Sequence, residues 1–363
     1  MARVLVTGGA GFIGSHVVDA LVERGDDVVV LDLLHPAAHA GRPDYLNPAA
    51  TYIWGDLADR SVVERTLGGV DAVCHQASMV GLGADFGDVE SYVRHNDLAT
   101  AAMLHAMHHR GFAGRLIVAS SMVVYGEGAY RCPSEGLVRP PPRAVPDLRR
   151  GSFEPRCPRC GAGLIAEAVT EDAPLEPRTV YAATKAHQEH LCFAFGRATG
   201  VPVVALRYHN VYGPRMPRDT PYAGVAAIFR SAMESGRPAN VFEDGRQQRD
   251  FIHVGDVARA NLLALNAEST RSAAFNIATG KPHTVGEMAD AMWEAFDQAA
   301  PPPVVTGGFR AADVRHIFAS PSRARRELGF AADVTFDEGM RELARASQRS
   351  PVRRAGLRGP VRA

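Results

Sequence analysis

The hydrophobic and polar pattern of the first 125 residues alternates between short apolar runs and longer segments with helical spacing. The apolar runs are rich in β-branched residues and predict five strands: Val4 to Thr7, Val28 to Leu31, Tyr52 to Trp54, Ala72 to His75 and Leu116 to Ala119. Between the runs, as from Phe12 to Val22, apolar residues recur at helical spacing. This alternation predicts an α/β fold with a doubly wound parallel sheet, as in Rossmann domains.

The same rhythm continues past the middle of the chain. Tyr181 to Ala198 predicts a helix and Val203 to Leu206 a buried strand, and after Tyr208 loops rich in Gly, Pro and Arg separate further helices. We therefore predict four parts: a Rossmann domain over 1–208, a Cys-, Pro- and Arg-rich insert within it at 127–178, a smaller C-terminal substrate-binding lobe over 209–346 that interleaves with the Rossmann core, and a basic disordered tail over 347–363.

The charge balance narrows the class of partner. Forty Lys and Arg residues against forty Asp and Glu residues give a formal charge of zero, which removes a general attraction to nucleic acids and anionic membranes. No apolar run approaches the roughly 18 residues of a membrane span, and the first strand begins too early for a secretory signal. Five cysteines, an odd number, fit a reducing compartment. We expect a cytoplasmic protein with a small-molecule partner, and neither nucleic acid nor membrane binding.

A glycine-rich turn follows the first predicted strand and opens the first helix. The segment TGGAGFIG begins at Thr7, and its Gly8, Gly11 and Gly14 provide the tight turn and the exposed helix amides that a dinucleotide diphosphate needs. Asp32 ends the second strand, where a carboxylate accepts hydrogen bonds from an adenosine ribose and repels a 2'-phosphate. The pattern predicts tightly bound NAD rather than NADP. Further predicted contacts are Phe12 and Ile13 in the turn, and Asp56 and Leu57 near the adenine.

A tyrosine and a lysine lie four residues apart on one face of a predicted helix, at Tyr181 and Lys185. A tyrosine hydroxyl with its ordinary pKa of about 10 is a weak base at neutral pH, but an ammonium and an oxidised nicotinamide nearby both favour the phenolate. Only two residues of this Arg-rich chain are lysines, which indicates that a compact ammonium is needed. Ser121 ends the fifth strand and is placed to relay a proton to Tyr181. These three are the predicted catalytic residues, and we also predict that Tyr181 and Lys185 contact the cofactor and that Ser121 contacts the substrate.

Together these motifs resemble the extended short-chain dehydrogenase/reductase family, in particular its nucleotide-sugar epimerases and dehydratases. The resemblance spans residues 2 to 345 and rests on five segments in family order: TGGAGFIGS from Thr7, SSMVVYG from Ser120, YAATK from Tyr181, RYHNVYGP from Arg207 and RDFIHV from Arg249. It implies that Asn210, Arg249 and Arg310 bind the diphosphate of a nucleotide sugar. It also implies Asn96 near the cofactor phosphates, Ala77 beside the nicotinamide ribose, and a homodimer formed through the helix of Tyr181.

The two residues after Ser121 separate the reactions of this family. Dehydratases carry an Asp-Glu pair there and decarboxylases a Glu, whereas this chain has Met122 and Val123, which cannot transfer protons. The resemblance therefore implies a 4-epimerase, in which hydride leaves sugar carbon 4 for NAD and returns to the opposite face while Tyr181 handles the hydroxyl proton. Met122 as an apolar wall slightly favours a 6-deoxy sugar, dTDP-L-rhamnose, over UDP-glucose or UDP-galactose. A nucleotide-sugar dehydrogenase or 4-reductase, and a catalytically silent NAD-binding module, remain the alternatives.

The insert carries the pattern of a metal knuckle. Cys157 and Cys160 form a C-x-x-C turn, and a second turn from Cys132 to Gly136 has Glu135 in the place of its second cysteine. Three thiolates and a carboxylate make a tetrahedral zinc site that braces a long connection. The sequence is compatible with a structural zinc on Cys132, Cys157 and Cys160, with Glu135 as candidate fourth ligand, and equally with reduced thiols that bind no metal.

Overall fold

The computed structural model describes residues 1–36, 38–39, 41–81, 86–217, 224–269 and 271–346. The strands in chain order are β1 (Arg3–Thr7), β2 (Asp27–Asp32), β3 (Thr51–Trp54), β4 (Ala72–His75), β5 (Arg115–Ser121), β6 (Ala129–Cys132), β7 (Gly136–Val138), β8 (Ile165–Glu167), β9 (Val203–Tyr208), β10 (Asn210–Tyr212), β11 (Asn240–Val241), β12 (Gln248–Arg249), β13 (Phe251–His253), β14 (Ala273–Ile277), β15 (His283–Thr284) and β16 (Val304–Val305). Seven of them form a parallel sheet in the order β14-β9-β5-β4-β1-β2-β3.

The helices cover this sheet and build the second lobe. They are α1 (Phe12–Glu23), α2 (Arg60–Thr66), α3 (Val89–Tyr92), α4 (Ala99–His109), α5 (Val145–Arg149), α6 (Val180–Thr199), α7 (Val225–Glu234), α8 (Val254–Asn266), α9 (Val285–Ala295), α10 (Ser322–Leu328) and α11 (Phe336–Arg345). A π-helical segment, Val93–Leu98, joins α3 to α4. Met122–Tyr125 forms a 3-10 turn directly after β5.

Both faces of the sheet are buried, which explains why its strands are almost uniformly apolar. On one face, Val17 of α1 and Val257 of α8 pack against the sheet. On the other face, Val63 of α2, Met103 of α4 and Cys192 of α6 do the same. Helices on both faces of a parallel sheet confirm the predicted doubly wound α/β fold.

The second lobe has a core of its own, yet the chain returns from it to the sheet. Phe229 of α7, Met288 of α9 and Met340 of α11 are buried together in this lobe. The chain between them passes through α8, which covers the sheet, and through β14, which is an edge strand of the sheet. Sheet and lobe are therefore interleaved along the sequence.

The insert forms a small structural unit at the carboxyl end of β5. Its three antiparallel strands pair in the order β7-β6-β8. Tyr130, Cys132, Val138 and Cys157 form its buried cluster. The chain then returns to the sheet through α6, so the insert lies between the two elements that carry Ser121 and Tyr181.

Two sequence-based expectations concern the ends and the surroundings of the chain. The predicted basic tail at 347–363 lies outside the described residues. Among the described residues, no helix combines the length and the apolar character needed to cross a bilayer.

Candidate active site

A cavity of about 660 Å³ opens between the carboxyl edge of the sheet and the second lobe. Ligands of open α/β sheets bind at this edge. Sixteen of the seventeen predicted cofactor-, substrate- and proton-handling residues line it: Gly8, Gly11, Phe12, Ile13, Gly14, Asp32, Asp56, Leu57, Ala77, Ser121, Met122, Tyr181, Lys185, Asn210, Arg249 and Arg310. Asn96 does not line the cavity.

The glycine-rich turn between β1 and α1 leaves no room for side chains. Gly8 has φ +69°, and a Cβ on it would lie 2.7 Å from the backbone of Ala77. A Cβ on Gly14 would lie 2.2 Å from the carbonyl oxygen of Gly8. Helix α1 begins at Phe12, and the first-turn amides of a helix have no partner within that helix. This backbone cradle fits a dinucleotide diphosphate.

Asp32 is fixed at the end of β2 by two backbone amides. Ala10 donates to Oδ2 at 2.9 Å and Leu34 donates to Oδ1 at 2.8 Å. The carboxylate is only 8% exposed and lines the cavity. Because each carboxylate oxygen accepts more than one hydrogen bond, Asp32 keeps capacity for ribose hydroxyls. Asp56, also at the cavity wall, accepts a hydrogen bond from Arg94 at 2.7 Å.

Asn96 has a different place from the one that the resemblance implies. Its side chain is fully buried behind the cavity wall. Its Oδ1 accepts from the Met79 amide at 2.7 Å, while its Nδ2 donates to the Met79 carbonyl at 3.0 Å and to Thr184 Oγ1 at 2.9 Å. The amide is thus used to tie the loop after β4 to the first turns of α6. Asn96 shapes the cavity wall instead of reaching into the cavity.

Ser121, Tyr181 and Lys185 meet at one wall of the cavity. Thr179 caps α6 by accepting the Ala182 amide at 3.1 Å, which fixes the start of the helix that carries the tyrosine and the lysine. Burial raises the pKa of Tyr181 to about 12, against the effect of a hydrogen bond with Ser121. Burial lowers the pKa of Lys185, which is 3% exposed, to about 8. Burial therefore favours the neutral form of both groups, the phenol of Tyr181 and the amine of Lys185.

The two serines at the end of β5 have separate roles. Ser120 Oγ donates a hydrogen bond to Glu189 Oε2 at 2.7 Å. Glu189 Oε2 also accepts a hydrogen bond from Arg207 Nε at 3.1 Å. Ser120 also lines the cavity, but its hydroxyl is engaged in this buried polar network. Ser121 faces the cavity and Tyr181. The structure therefore separates the candidate proton relay from its neighbour.

Three hydrogen-bond donors predicted to bind a diphosphate line the lobe side of the cavity. Asn210 lines the cavity, where its side-chain NH2 group is the donor suited to a phosphate oxygen; its Oδ1 atom, an acceptor, is buried without a donor among the described residues. Arg249 is held by backbone carbonyls, with Nη1 donating to Gln248 at 2.8 Å. Arg310 lies over the ring of Phe242, with its guanidinium carbon 5.3 Å from the ring centroid. The two guanidinium groups give this side of the cavity the charge that an anionic ligand requires.

Several cavity residues carry no recognisable signal in the sequence. Asn240, Phe242, Glu243 and Gln247 come from the second lobe, and Arg178 comes from the end of the insert. The Gln247 Oε1 atom is buried and lacks a hydrogen-bond partner within the described part of the chain. Gln247 lies two residues before Arg249, at the edge of the RDFIHV segment, and this position is the sequence feature that could have indicated a place in the site.

The three cysteines of the insert converge, whereas Glu135 does not join them. The Sγ atoms of Cys132, Cys157 and Cys160 lie within 4.8 Å of one another. Glu135 instead accepts a hydrogen bond from Arg159 at 3.3 Å. The expectation that Glu135 is the fourth ligand is therefore wrong for this structure, because the carboxylate forms an ion pair outside the cluster. Ser134 Oγ lies 3.4 Å from Cys132 Sγ and 3.5 Å from Cys160 Sγ.

The fold and the site define a class, a Rossmann-type dinucleotide-binding protein with a Ser–Tyr–Lys set and a cationic ligand wall. The model of the NAD dependent epimerase/dehydratase family matches residues 4–145 and 159–278, and the chain belongs to this family. This confirms the family that the sequence motifs indicated. The break in the match, between residues 145 and 159, falls inside the insert.

Known relatives share most of their length with this chain. A dTDP-L-rhamnose 4-epimerase of Burkholderia thailandensis is 32% identical over 94% of this chain and 93% of its own. A putative UDP-glucose 4-epimerase of Methanocaldococcus jannaschii is 34% identical over 79% of this chain and 80% of its own. The solved structure of the Thermus thermophilus UDP-glucose 4-epimerase in complex with NAD has a TM-score of 0.76 at 32% identity and covers 94% of this chain and 97% of its own.

Proposed function

We propose that this protein is an NAD-dependent nucleotide-sugar 4-epimerase. The observation that carries the proposal is one cavity with three kinds of wall: the glycine cradle at β1, the Ser121, Tyr181 and Lys185 set, and the Arg249 and Arg310 guanidinium groups. The first wall suits a dinucleotide and the third suits a second diphosphate. The proton-handling wall joins them, as a reaction between a bound cofactor and a nucleotide sugar requires. The activities of the relatives support this assignment.

The chain's own groups move the proton of the reaction. Bound NAD supplies the hydride acceptor for sugar carbon 4 and later the hydride donor for the opposite face. Tyr181 acts as the base, taking the 4-hydroxyl proton through Ser121 and returning it to the keto oxygen when carbon 4 is reduced. Because burial raises the pKa of Tyr181 to about 12, its phenolate needs positive charge nearby. The Lys185 ammonium on the same helix and a cationic nicotinamide are the groups suited to provide it.

The sugar side of the cavity supports a substrate preference. Met122 and Val123 line the cavity next to Ser121 and present apolar surface. A 6-deoxy sugar places a methyl group on such a wall at no cost, whereas a carboxylate there loses hydration without a partner. We propose dTDP-L-rhamnose as the preferred substrate, with UDP-glucose or UDP-galactose second. The activity named for the Burkholderia thailandensis relative supports this order.

Turnover of three sugar nucleotides tests this preference. Initial rates at equal concentration are measured with dTDP-L-rhamnose, UDP-glucose and UDP-glucuronate. We expect the 6-deoxy sugar to react fastest and the acid sugar slowest. Fastest turnover of UDP-glucuronate contradicts the apolar-wall argument.

Product analysis separates the epimerase from its rivals. With substrate and protein alone, NMR spectra should show conversion to the 4-epimer while the absorbance of NADH stays constant. Net formation of NADH from added NAD identifies a dehydrogenase, and consumption of added NADH identifies a 4-reductase. Failure of every sugar nucleotide to react, with NAD bound, supports the silent NAD-binding module.

Further sequence-based expectations complete the proposal. We propose a homodimer formed through α6, a cytoplasmic location, and a structural zinc ion on Cys132, Cys157 and Cys160. The convergence of the three sulfur atoms supports the zinc ion. None of these three features takes part in the hydride or proton transfers.

A further inference from the structure

The cysteine cluster has the geometry of a soft-metal site. Zn–S bonds of about 2.3 Å place the sulfur atoms of a tetrahedral zinc site roughly 3.8 Å apart. Cys132 Sγ and Cys160 Sγ are 3.5 Å apart, and all three sulfur atoms lie within 4.8 Å of one another. All three cysteines are free thiols. Ser134 Oγ lies close to two of the sulfur atoms, and its hydroxyl or a water would be the fourth ligand of an ion bound there.

The chain segments that carry the cysteines also hold Arg315, a residue of the second lobe. Glu127, just before the strand of Cys132, accepts a hydrogen bond from the Arg315 amide at 2.8 Å. Glu154, three residues before Cys157, accepts from Arg315 Nη2 at 2.6 Å and from Nε at 2.9 Å. The Arg315 side chain is fully buried. The insert is therefore attached to the lobe by charge-assisted hydrogen bonds from two residues, one before Cys132 and one before Cys157 in the sequence.

The segment gripped by the insert in turn orients Arg249. Arg249 Nη1 donates to the Arg315 carbonyl at 2.9 Å and Nη2 donates to the Val314 carbonyl at 2.7 Å. Arg143 of the insert donates to the Asp313 carbonyl at 2.7 Å, which fixes the same segment one residue earlier. Displacement of residues 313–315 would therefore remove two of the carbonyl groups that orient the Arg249 guanidinium.

We infer that a zinc ion held by Cys132, Cys157 and Cys160 braces the insert and thereby positions Arg249 for a nucleotide diphosphate. The part played by Arg249 rests on the proposed function, whereas the metal site does not. Thiolate ligands select zinc over hard cations such as magnesium and calcium. Without the ion, three thiols and short strands are left to hold the cysteine turns together. The zinc acts at a distance from the reacting atoms and Arg249 is the positioned group.

The metal content of the purified full chain tests the site itself. We expect about one zinc per chain by elemental mass spectrometry, lost in Cys157→Ser and retained in Cys192→Ser. Cys192 is a matched control because it is a buried thiol outside the cluster. Absence of stoichiometric zinc from protein grown with zinc, or its retention in Cys157→Ser, overturns the proposal. This result does not depend on which reaction the protein catalyses.

Nucleotide binding tests the coupling to Arg249. Affinities for dTDP and UDP are measured by calorimetry with zinc-loaded and chelator-stripped protein, and NAD affinity is measured as the control. We expect stripping to weaken nucleotide binding roughly tenfold, the effect of losing one charge-assisted hydrogen bond, and to leave NAD affinity unchanged. In Arg249→Ala, stripping should cause no further loss, as expected for two changes that act on one contact. An equal loss in Arg249→Ala, or no loss in the unsubstituted protein, overturns the coupling.

Discussion

Burial moves the pKa values of Tyr181 and Lys185, two residues on the same helix, in opposite directions. The pKa of Tyr181 rises to about 12 and that of Lys185 falls to about 8. In both residues the charged form is the one that loses hydration. A phenolate and an ammonium close to each other would offset this cost, which is why the proposed mechanism assigns the ionisation of Tyr181 to the presence of Lys185.

The first prediction concerns the tyrosine. Tyr181→Phe removes the hydroxyl that accepts the sugar proton but keeps the ring that packs near Tyr92. We expect kcat to fall by roughly 10²–10⁴, the contribution of general acid–base catalysis, while NAD still binds through the glycine turn and Asp32. Tyr52→Phe is the control, because Tyr52 packs against the core of the sheet and does not line the cavity. Full turnover by Tyr181→Phe would assign the proton transfer to another group.

Motifs that fix both residue type and backbone position predicted which residues line the cavity. Gly8, Asp32, Ser121 and Tyr181 all lie where their motifs place them. Asn96 did not follow this pattern, because a polar residue on a helix has no local feature that distinguishes a ligand contact from a buried brace. Glu135 failed for a similar reason, since its ion pair with Arg159 forms between two turns of the insert.

At the scale of elements, the strand–turn–helix unit β1–α1 depends on backbone contacts that exclude side chains. Gly14→Ala would place a methyl group 2.2 Å from the Gly8 carbonyl oxygen, so the turn or the helix must move. Our second prediction is that Gly14→Ala weakens NAD binding by at least tenfold and lowers Tm, because a clash with the backbone is not relieved by rotating a side chain.

A glycine with room for a methyl group provides the comparison. A Cβ on Gly68 would have ordinary contact, 3.8 Å from the Arg65 carbonyl oxygen, and its φ is not in the left-handed region. Gly68→Ala should therefore retain NAD binding. Fluorescence titration with NAD and thermal unfolding measure both effects. Equal NAD affinity of the Gly14 and Gly68 variants would show that the turn is not the cofactor cradle.

The third prediction concerns the contact of the insert with the lobe. Partial burial opposes ionisation of Glu154, but hydrogen bonds from His316 and Arg315 outweigh it and lower its pKa from 4.5 to about 2. A carboxyl group with a lowered folded-state pKa stabilises the protein above its unfolded pKa and loses that effect as pH falls toward the folded value. The wild type should thus be more stable than Glu154→Gln at pH 7, and the difference should shrink between about pH 4.5 and pH 2.

Denaturant unfolding at several pH values checks this expectation. Glu167→Gln is a suitable control, because Glu167 pairs with Arg131 within the insert and not with the lobe. A stability difference for Glu154→Gln that is constant from pH 7 to the acid range, or absent at pH 7, would contradict the role given to Glu154.

Pattern predicted most strands of the sheet and its long helices, but it missed the strands of the insert and one edge strand. The predicted strand from Leu116 to Ala119 became β5, and the helix from Tyr181 to Ala198 became α6. The strands β6, β7 and β8 span three or four residues each and lie in a stretch rich in Pro and Arg, a composition that predicts a loop. The edge strand β14 begins with two alanines, which have weak strand preference.

At the scale of the whole molecule, the site exists only because sheet, insert and lobe meet. Ser121 and Tyr181 come from the sheet region, Arg178 from the end of the insert and Arg249 from the lobe. Sequence motifs identify such residues one at a time, but the ion pairs that hold the three parts together join residues far apart in sequence. Arg315 with Glu154 and Arg143 with Glu243 are examples. Such ion pairs could not be predicted from the sequence, because no local pattern shows which distant residues come together.

The fate of the hydrogen on sugar carbon 4 tests the central claim most directly. A nucleotide sugar that carries deuterium at carbon 4, dTDP-L-rhamnose or UDP-glucose, is converted in ordinary water and the product is analysed by NMR and mass spectrometry. Transfer to NAD and return within one cavity predicts that the 4-epimer keeps its deuterium. Exchange of the deuterium for solvent hydrogen at the rate of epimerisation would show that carbon 4 loses a proton instead of a hydride, and would contradict the account.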